Sequence, residues 1–261
     1  MVEGKPTPVV KDLAEIKIKL SYWFKELFQS ECRLESITVP TATGMSNVTL
    51  LFTVEWGEDN EPKKTKRCVA RLQPKTTNPL FPEYDLEFQY KIMERLREKS
   101  TLPVPKLIAL EKDDSILGVP FYIMEYQPGR IPTDIPPYHI DGWLKHETDS
   151  TQREALWKAA TNVLAELHTL DYKKLGLNDL LTPGRTPLEQ QLSYWETYRD
   201  WALESAPSSI CNEALEWLHK NQPSNEPVSL CWGDARISNM IFAESFDKVV
   251  AVLDWEMASL G

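Results

Sequence analysis

The chain holds 261 residues, enough for one large domain or two modest ones. Apolar residues at 42% and charged residues at 26% match ordinary globular usage, which excludes wholesale disorder. Lys plus Arg number 29 against 39 Asp plus Glu, a net charge of −10; a surface that acidic repels a phosphate backbone, so nucleic acid is not an expected partner.

Nineteen prolines against ten glycines point to stiff, extended connections. Neither G-x-G-x-x-G nor a Walker loop occurs, so a nucleotide site of the glycine-rich kinds is excluded. Cys32, Cys68, Cys211 and Cys231 lie far apart with no C-x-x-C pair, which reads as reduced thiols rather than a disulfide framework or zinc site. The first residues lack an apolar signal core, and no stretch approaches ~18 continuous apolar residues. The expectation is a cytoplasmic protein with no membrane partner.

In chain order, residues 10–28 place Leu13, Ile16, Leu20, Trp23, Phe24 and Leu27 on one helical face. Apolar, β-branched runs at 34–39, 48–56 and 67–72, joined by turn-rich links, predict an antiparallel meander. A charged amphipathic helix is expected over about 83–98, stopped by the two prolines of LPVPK. Short strands follow at KLIALEK and PFYIMEY, with DDSILG read as the turn between them. From Gln127 a segment with five prolines and no period reads as a stiff linker or surface loop. Helices are then expected at 151–170, 187–205 and 209–221, and short strands at VSLCW, NMIFAE and KVVAVLD. A β-rich half, a joint and a helical half suggest two lobes with a cleft between them.

The stretch 229–256, SLCWGDARISNMIFAESFDKVVAVLDWE, carries the chemistry. Asp234 and Asn239 are five apart in an expected loop, and Asp254 ends an apolar strand. A hairpin between Asn239 and Asp254 returns both to one end of a strand pair. Together they offer hard oxygen ligands of the kind Mg²⁺ accepts beside phosphate oxygens, leaving Asp234 to orient or deprotonate a hydroxyl. Singly, each residue reads equally as a turn cap or strand end.

Trp232-Gly233-Asp234-Ala235-Arg236-Ile237-Ser238-Asn239 followed by Asp254-Trp255-Glu256 resembles the catalytic core of the aminoglycoside phosphotransferase and choline kinase-like family. Trp232 stands where that family has histidine. LPVPK at 102–106, FYIMEYQPG and LAELHTLD at 164–171 extend the resemblance along the chain. It implies an α+β, bilobal protein-kinase-like fold: an antiparallel-sheet lobe with one main helix at 1–126, and a mostly helical lobe at 127–261. It implies ATP and Mg²⁺ as cofactors and a small-molecule hydroxyl as acceptor. Asp234 would handle the acceptor proton, Arg236 would meet the transferring phosphoryl group, and Asn239 and Asp254 would hold Mg²⁺. The resembled fold continues beyond the equivalent of Gly261, so the sequence reads as an incomplete member lacking part of the acceptor pocket.

The same resemblance puts Arg71 at the family's strand lysine and Gln89 at its helix glutamate, with Glu87 as an alternative partner on another face of the helix. The loop TATGMSNVT would supply phosphate contacts through Ser46 and Asn47 with Gly44 as its one glycine, or would be a plain hairpin turn. The Met124 carbonyl and the Tyr126 amide would meet adenine. His168 is expected to be a buried hydrogen-bonder; His139, His146 and His219 show no metal spacing. Trp195 and Trp201 are expected in helix core, with a wall of the acceptor pocket as the other reading. Two further functions stand beside the kinase: a nucleotide-binding pseudo-enzyme or scaffold, suggested by Trp232, Arg71 and Gln89, and a Mg²⁺-dependent phosphohydrolase.

Overall fold

The structure is a computed structural model and describes residues 12–40, 46–58, 62–76, 79–204, 206–224 and 227–261. Helix α1 (Leu13–Phe28) is capped by the Asp12 carboxylate, which accepts from the Glu15 amide at 2.9 Å. Strands β1 (Cys32–Thr38), β2 (Val48–Trp56) and β3 (Lys64–Leu72) form the expected meander. Helix α2 (Leu86–Lys99) starts at the Asp85 cap and stops at Ser100. Strands β4 (Leu107–Glu111) and β5 (Phe121–Glu125) then complete an antiparallel sheet of order β1-β2-β3-β5-β4. The DDSILG segment departs from the turn expected of it. It makes one helical turn, α3 (Asp114–Leu117), because Asp113 caps the Ser115 amide and Gly118 closes it at φ +81°.

The sheet is covered on both faces, which is why Cys68–Leu72 of β3 and Phe121–Met124 of β5 are buried without a break while β2 alternates. Leu20 and Phe24 of α1 pack on Leu50, Phe52, Val54, Ala70 and Ile123. The opposite face, Val69, Tyr122 and Met124, meets Ile92, Met93 and Leu96 of α2, and this core continues into the helical half.

That half comprises α4 (Trp143–His146), α5 (Ser150–Thr169), α6 (Tyr172–Leu175), α7 (Pro187–Ala202) and α8 (Ser209–Lys220). Asp149 with Gln152, and Thr186 with Glu189, make capping boxes that fix the starts of α5 and α7. Three aromatic and histidine expectations fail by helical phase. His168 is exposed beside buried Leu167, Trp195 is 40% exposed, and Trp201 is only half-buried.

Strands β6 (Leu230–Cys231) and β9 (Ser259–Leu260) pair with each other, and β7 (Met240–Phe242) pairs with β8 (Val249–Val252). The proline-rich segment is tied to β7: the Arg130 amide donates to the Phe242 carbonyl at 2.8 Å, and the return bond is 2.9 Å. Gly129 allows this approach, since a Cβ there would lie 2.4 Å from the Phe242 carbonyl oxygen. Among the described residues no helix is long and apolar enough to cross a membrane.

Candidate active site

The β7–β8 hairpin brings Asn239 and Asp254 to one end, as its sequence pattern suggests. Met240 is the register partner of Val252, and the Leu253 amide donates to the Asn239 carbonyl at 2.9 Å. Asn239 turns its amide nitrogen to Asp234, donating to Oδ2 at 2.9 Å and to the carbonyl at 3.2 Å. Its Oδ1 therefore faces away from Asp234 and is free to accept. Arg236 also reaches Asp234 Oδ2, at 2.9 Å, and its other nitrogen donates to Asp134 at 2.8 Å. One oxygen of Asp234 thus carries two donors, and Oδ1 is left as the group that could take a proton.

The segment 232–234 lies back-to-back with 254–257. Gly233 holds φ +93°, and a Cβ there would fall 2.3 Å from the Met257 carbonyl oxygen. That contact needs glycine on both steric counts. Asp254 itself sits at φ +55°, a left-handed conformation uncommon outside glycine, asparagine and aspartate.

Arg71 projects from β3 and forms an ion pair with Asp254, 183 residues away; its other nitrogen donates to Thr49 Oγ1 at 3.0 Å. This corrects the expected partnership. Gln89 is buried and accepts from the Tyr122 hydroxyl at 3.4 Å, while Glu87 lies outside on Lys112 at 2.6 Å. Tyr122 is the cross-strand neighbour of Arg71, so Gln89 reaches the guanidinium only through that phenol. Burial works against the Arg71 charge, but Asp254, Tyr122 and Glu256 more than offset it and hold the pKa above the ordinary arginine value. Burial likewise pushes the Tyr122 phenol up to about 12, with Arg71 opposing.

Ser46 and Asn47, both buried, sit at the entry to β2. Asn47 donates to Glu256 Oε2 at 2.9 Å, and its own Oδ1 is buried with no partner among the described residues. Glu256 is pushed above the ordinary glutamate range, first by burial and then by neighbouring Asp254. Residues 41–45, including Gly44, lie outside the described residues.

The Tyr126 amide, expected to meet adenine, is already engaged within the sheet. The Tyr126 amide donates to the Arg67 carbonyl at 3.0 Å, and the Glu125 amide donates to Lys106 on the other side at 2.8 Å. Main-chain groups alternate sides along a strand, so Met124, paired with Val69, faces β3 as Tyr126 does. Glu125 is the residue whose main chain faces away from β3.

Sequence reasoning left out Tyr122, Thr49 and Asp134. Period-two spacing from Met124 could have placed Tyr122 in the sheet beside Arg71, but nothing local marked Asp134 within the proline-rich segment. Among the described residues no group of three or more His, Cys, Asp or Glu forms a metal cage. A two-residue donor set, one amide oxygen and one carboxylate, suits instead a cation that keeps water and phosphate oxygens as its remaining ligands. Asn239 and Asp254 fit that requirement.

A five-stranded antiparallel sheet between two helices, joined to a helical half that carries Asp234 and Asp254, is a protein-kinase-like fold. The phosphotransferase enzyme family matches residues 60–261, and the chain belongs to it. A solved "putative aminoglycoside phosphotransferase" from Ralstonia eutropha is similar at 26% identity and a TM-score of 0.63, over 94% of this chain and 65% of that one. Aminoglycoside phosphotransferase APH(4)-Ia, solved as a ternary complex with ADP and hygromycin B, shares the fold at 13% identity and a TM-score of 0.54, over 93% and 72%. Among curated proteins, "Probable acyl-CoA dehydrogenase IBR3" of Arabidopsis thaliana is 31% identical over 84% of this chain and 26% of its own length. Acyl-CoA dehydrogenase family member 11 of Homo sapiens is 32% identical over 73% and 23%. The chain thus spans about a quarter of these curated relatives.

Proposed function

We propose that this chain is a cytoplasmic ATP- and Mg²⁺-dependent kinase that transfers the γ-phosphate to a hydroxyl of a small molecule. The observation that carries the reading is Asp234, one oxygen fixed by Asn239 and Arg236, set back-to-back with Asp254 on a separate segment. Residues 1–126 would hold the nucleotide, and 127–261 would carry the catalytic loop and metal strand. Asp234 Oδ1 accepts the acceptor's hydroxyl proton as its oxygen bonds to the γ-phosphorus. The bond from that phosphorus to the bridging oxygen breaks, and its electron pair leaves with ADP. Arg236 faces the transferring group with a permanent charge, and Arg71 contacts the phosphates from the sheet. Ser46 and Asn47 would line the phosphate side, and the Glu125 carbonyl would face adenine. Mg²⁺, held by Asn239 and Asp254, would neutralise phosphate charge.

The scaffold alternative has one observation in its favour: Asp254 is already neutralised by Arg71. A panel of alcohols and sugars with ATP, scored for Mg²⁺-dependent ADP formation, separates the two. The kinase reading expects turnover that disappears in Asp234→Ala while nucleotide binding survives. Nucleotide binding with no turnover across the panel would establish the scaffold instead.

A further inference from the structure

Two indoles converge on the backbone that leads into Asp254. Trp232 Nε1 donates to both the Leu253 carbonyl, at 2.9 Å, and the Asp254 carbonyl, at 3.0 Å. Trp255 Nε1 donates to the Val252 carbonyl at 3.1 Å. Three successive carbonyls are therefore fixed by two side chains, each only 1% exposed, whose ring centroids are 5.9 Å apart. Strand β8 ends at Val252, and the Leu253 amide makes one more bond to the neighbouring segment, to the Asn239 carbonyl at 2.9 Å, before Asp254. There the chain turns into the left-handed conformation at Asp254, which an ordinary strand end would not hold.

We infer that Trp232 is a positioning residue: with Trp255 it clamps the carbonyls of residues 252–254 and so sets the direction of the Asp254 carboxylate. The inference rests on the proposed nucleotide and metal site, and it gives Trp232, at the family's histidine position, a role of its own. The indole supplies one N–H shared between two acceptors and a large apolar body that seals them from water. Groups that orient a metal ligand from behind typically change metal affinity by about 10- to 100-fold when removed.

The test uses Trp232→Phe, which keeps an aromatic ring and deletes the donor, and Trp232→His, which restores a donor on a smaller ring. ADP affinity is measured calorimetrically with and without Mg²⁺, alongside thermal unfolding and Mn²⁺ binding by paramagnetic resonance. Trp232→Phe is expected to bind metal-free ADP as the parent does, yet to lose roughly tenfold of the Mg²⁺-dependent gain. Trp232→His should recover most of that gain. A role confined to packing would lower the unfolding temperature and leave the Mg²⁺ gain intact. A gain in Trp232→Phe within twofold of the parent, when Asp254→Ala abolishes it, overturns the clamp. If Trp232→Phe does not fold, Trp232→Met, which likewise lacks the donor, decides by the same ratio. A parent protein with no Mg²⁺-dependent gain overturns the underlying site, and the clamp with it.

Discussion

Replacing Arg71 by methionine removes the cation beside Asp254 while keeping much of the side chain's length and packing. Both partners are shielded from water, their side chains 8% and 15% exposed. At an effective dielectric of 20, two unit charges 4 Å apart attract by about 4 kcal/mol. Breaking one side of such a pair costs about 3–5 kcal/mol, because the surviving charge stays buried. Here the loss is compounded by Glu256, the acid whose own pKa Asp254 already raises. For a chain of this size that corresponds to a fall in melting temperature of about 6–20 °C. The assay is a thermal double-mutant cycle with Arg71→Met, Asp254→Asn and the pair. Because the double variant leaves no unpaired buried charge, its loss should fall short of the sum of the singles by roughly 2–3 kcal/mol. Mg²⁺ should also stabilise Arg71→Met more than the parent, since it restores positive charge beside Asp254. A cycle additive to within about 0.5 kcal/mol would refute the ion pair as an organising contact.

Asp134→Ala should lower turnover by no more than about fivefold, with the KM for ATP unchanged. The pair it makes with Arg236 is half-exposed, and such pairs contribute at most about 1 kcal/mol. Steady-state kinetics would contradict this with a loss beyond tenfold or a shifted KM. Lys66, through its hydrogen bond, and then Lys106 hold the Glu125 carboxyl below the ordinary glutamate value, against the opposing effect of burial. Its contribution to stability is complete above the unfolded-state value and is lost as pH falls through the lower folded value. Glu125→Gln should therefore flatten the acid limb of a stability–pH curve, and an unchanged limb counts against the pairing. Burial pushes the Cys68 thiol up to about 12, so at pH 8 an alkylating reagent should modify Cys211 and Cys231 well before Cys68. Mass spectrometry of partly labelled protein would reveal the opposite order.

Much of the fold was legible because its elements follow local rules. The apolar stripe of α1 (apart from Leu27, which is exposed), the proline stop after α2 and the strand alternation of β2 each appear where residue spacing places them. The one-turn helix α3 was not legible, since four residues carry no period. Residue burial was misjudged where a helix phase was assumed: Leu167, not His168, takes the inward position. In the site, Asp234, Asn239 and Asp254 were readable because they lie within 21 residues joined by a hairpin. The Arg71–Asp254 contact was not, for it depends on how the sheet and the hairpin meet. The side to which each main-chain group of β5 points was not legible either, a parity fixed only when the Tyr126 amide bonds to Arg67.

The three departures from the resembled motif act on one residue. Arginine in place of lysine reaches Asp254 directly with its guanidinium. Glutamine in place of glutamate carries no charge to compete for that guanidinium, and it instead accepts from Tyr122 at Arg71's side. A carboxylate at position 89 would compete with Asp254 for that guanidinium. Tryptophan in place of histidine donates to the carbonyl of Asp254 itself. Together these contacts pair the Asp254 carboxylate with a cation and fix its carbonyl. Pairing with Arg71 favours the scaffold reading and fixation of the Asp254 carbonyl favours the kinase, so Asp254 is the residue at which the two readings divide.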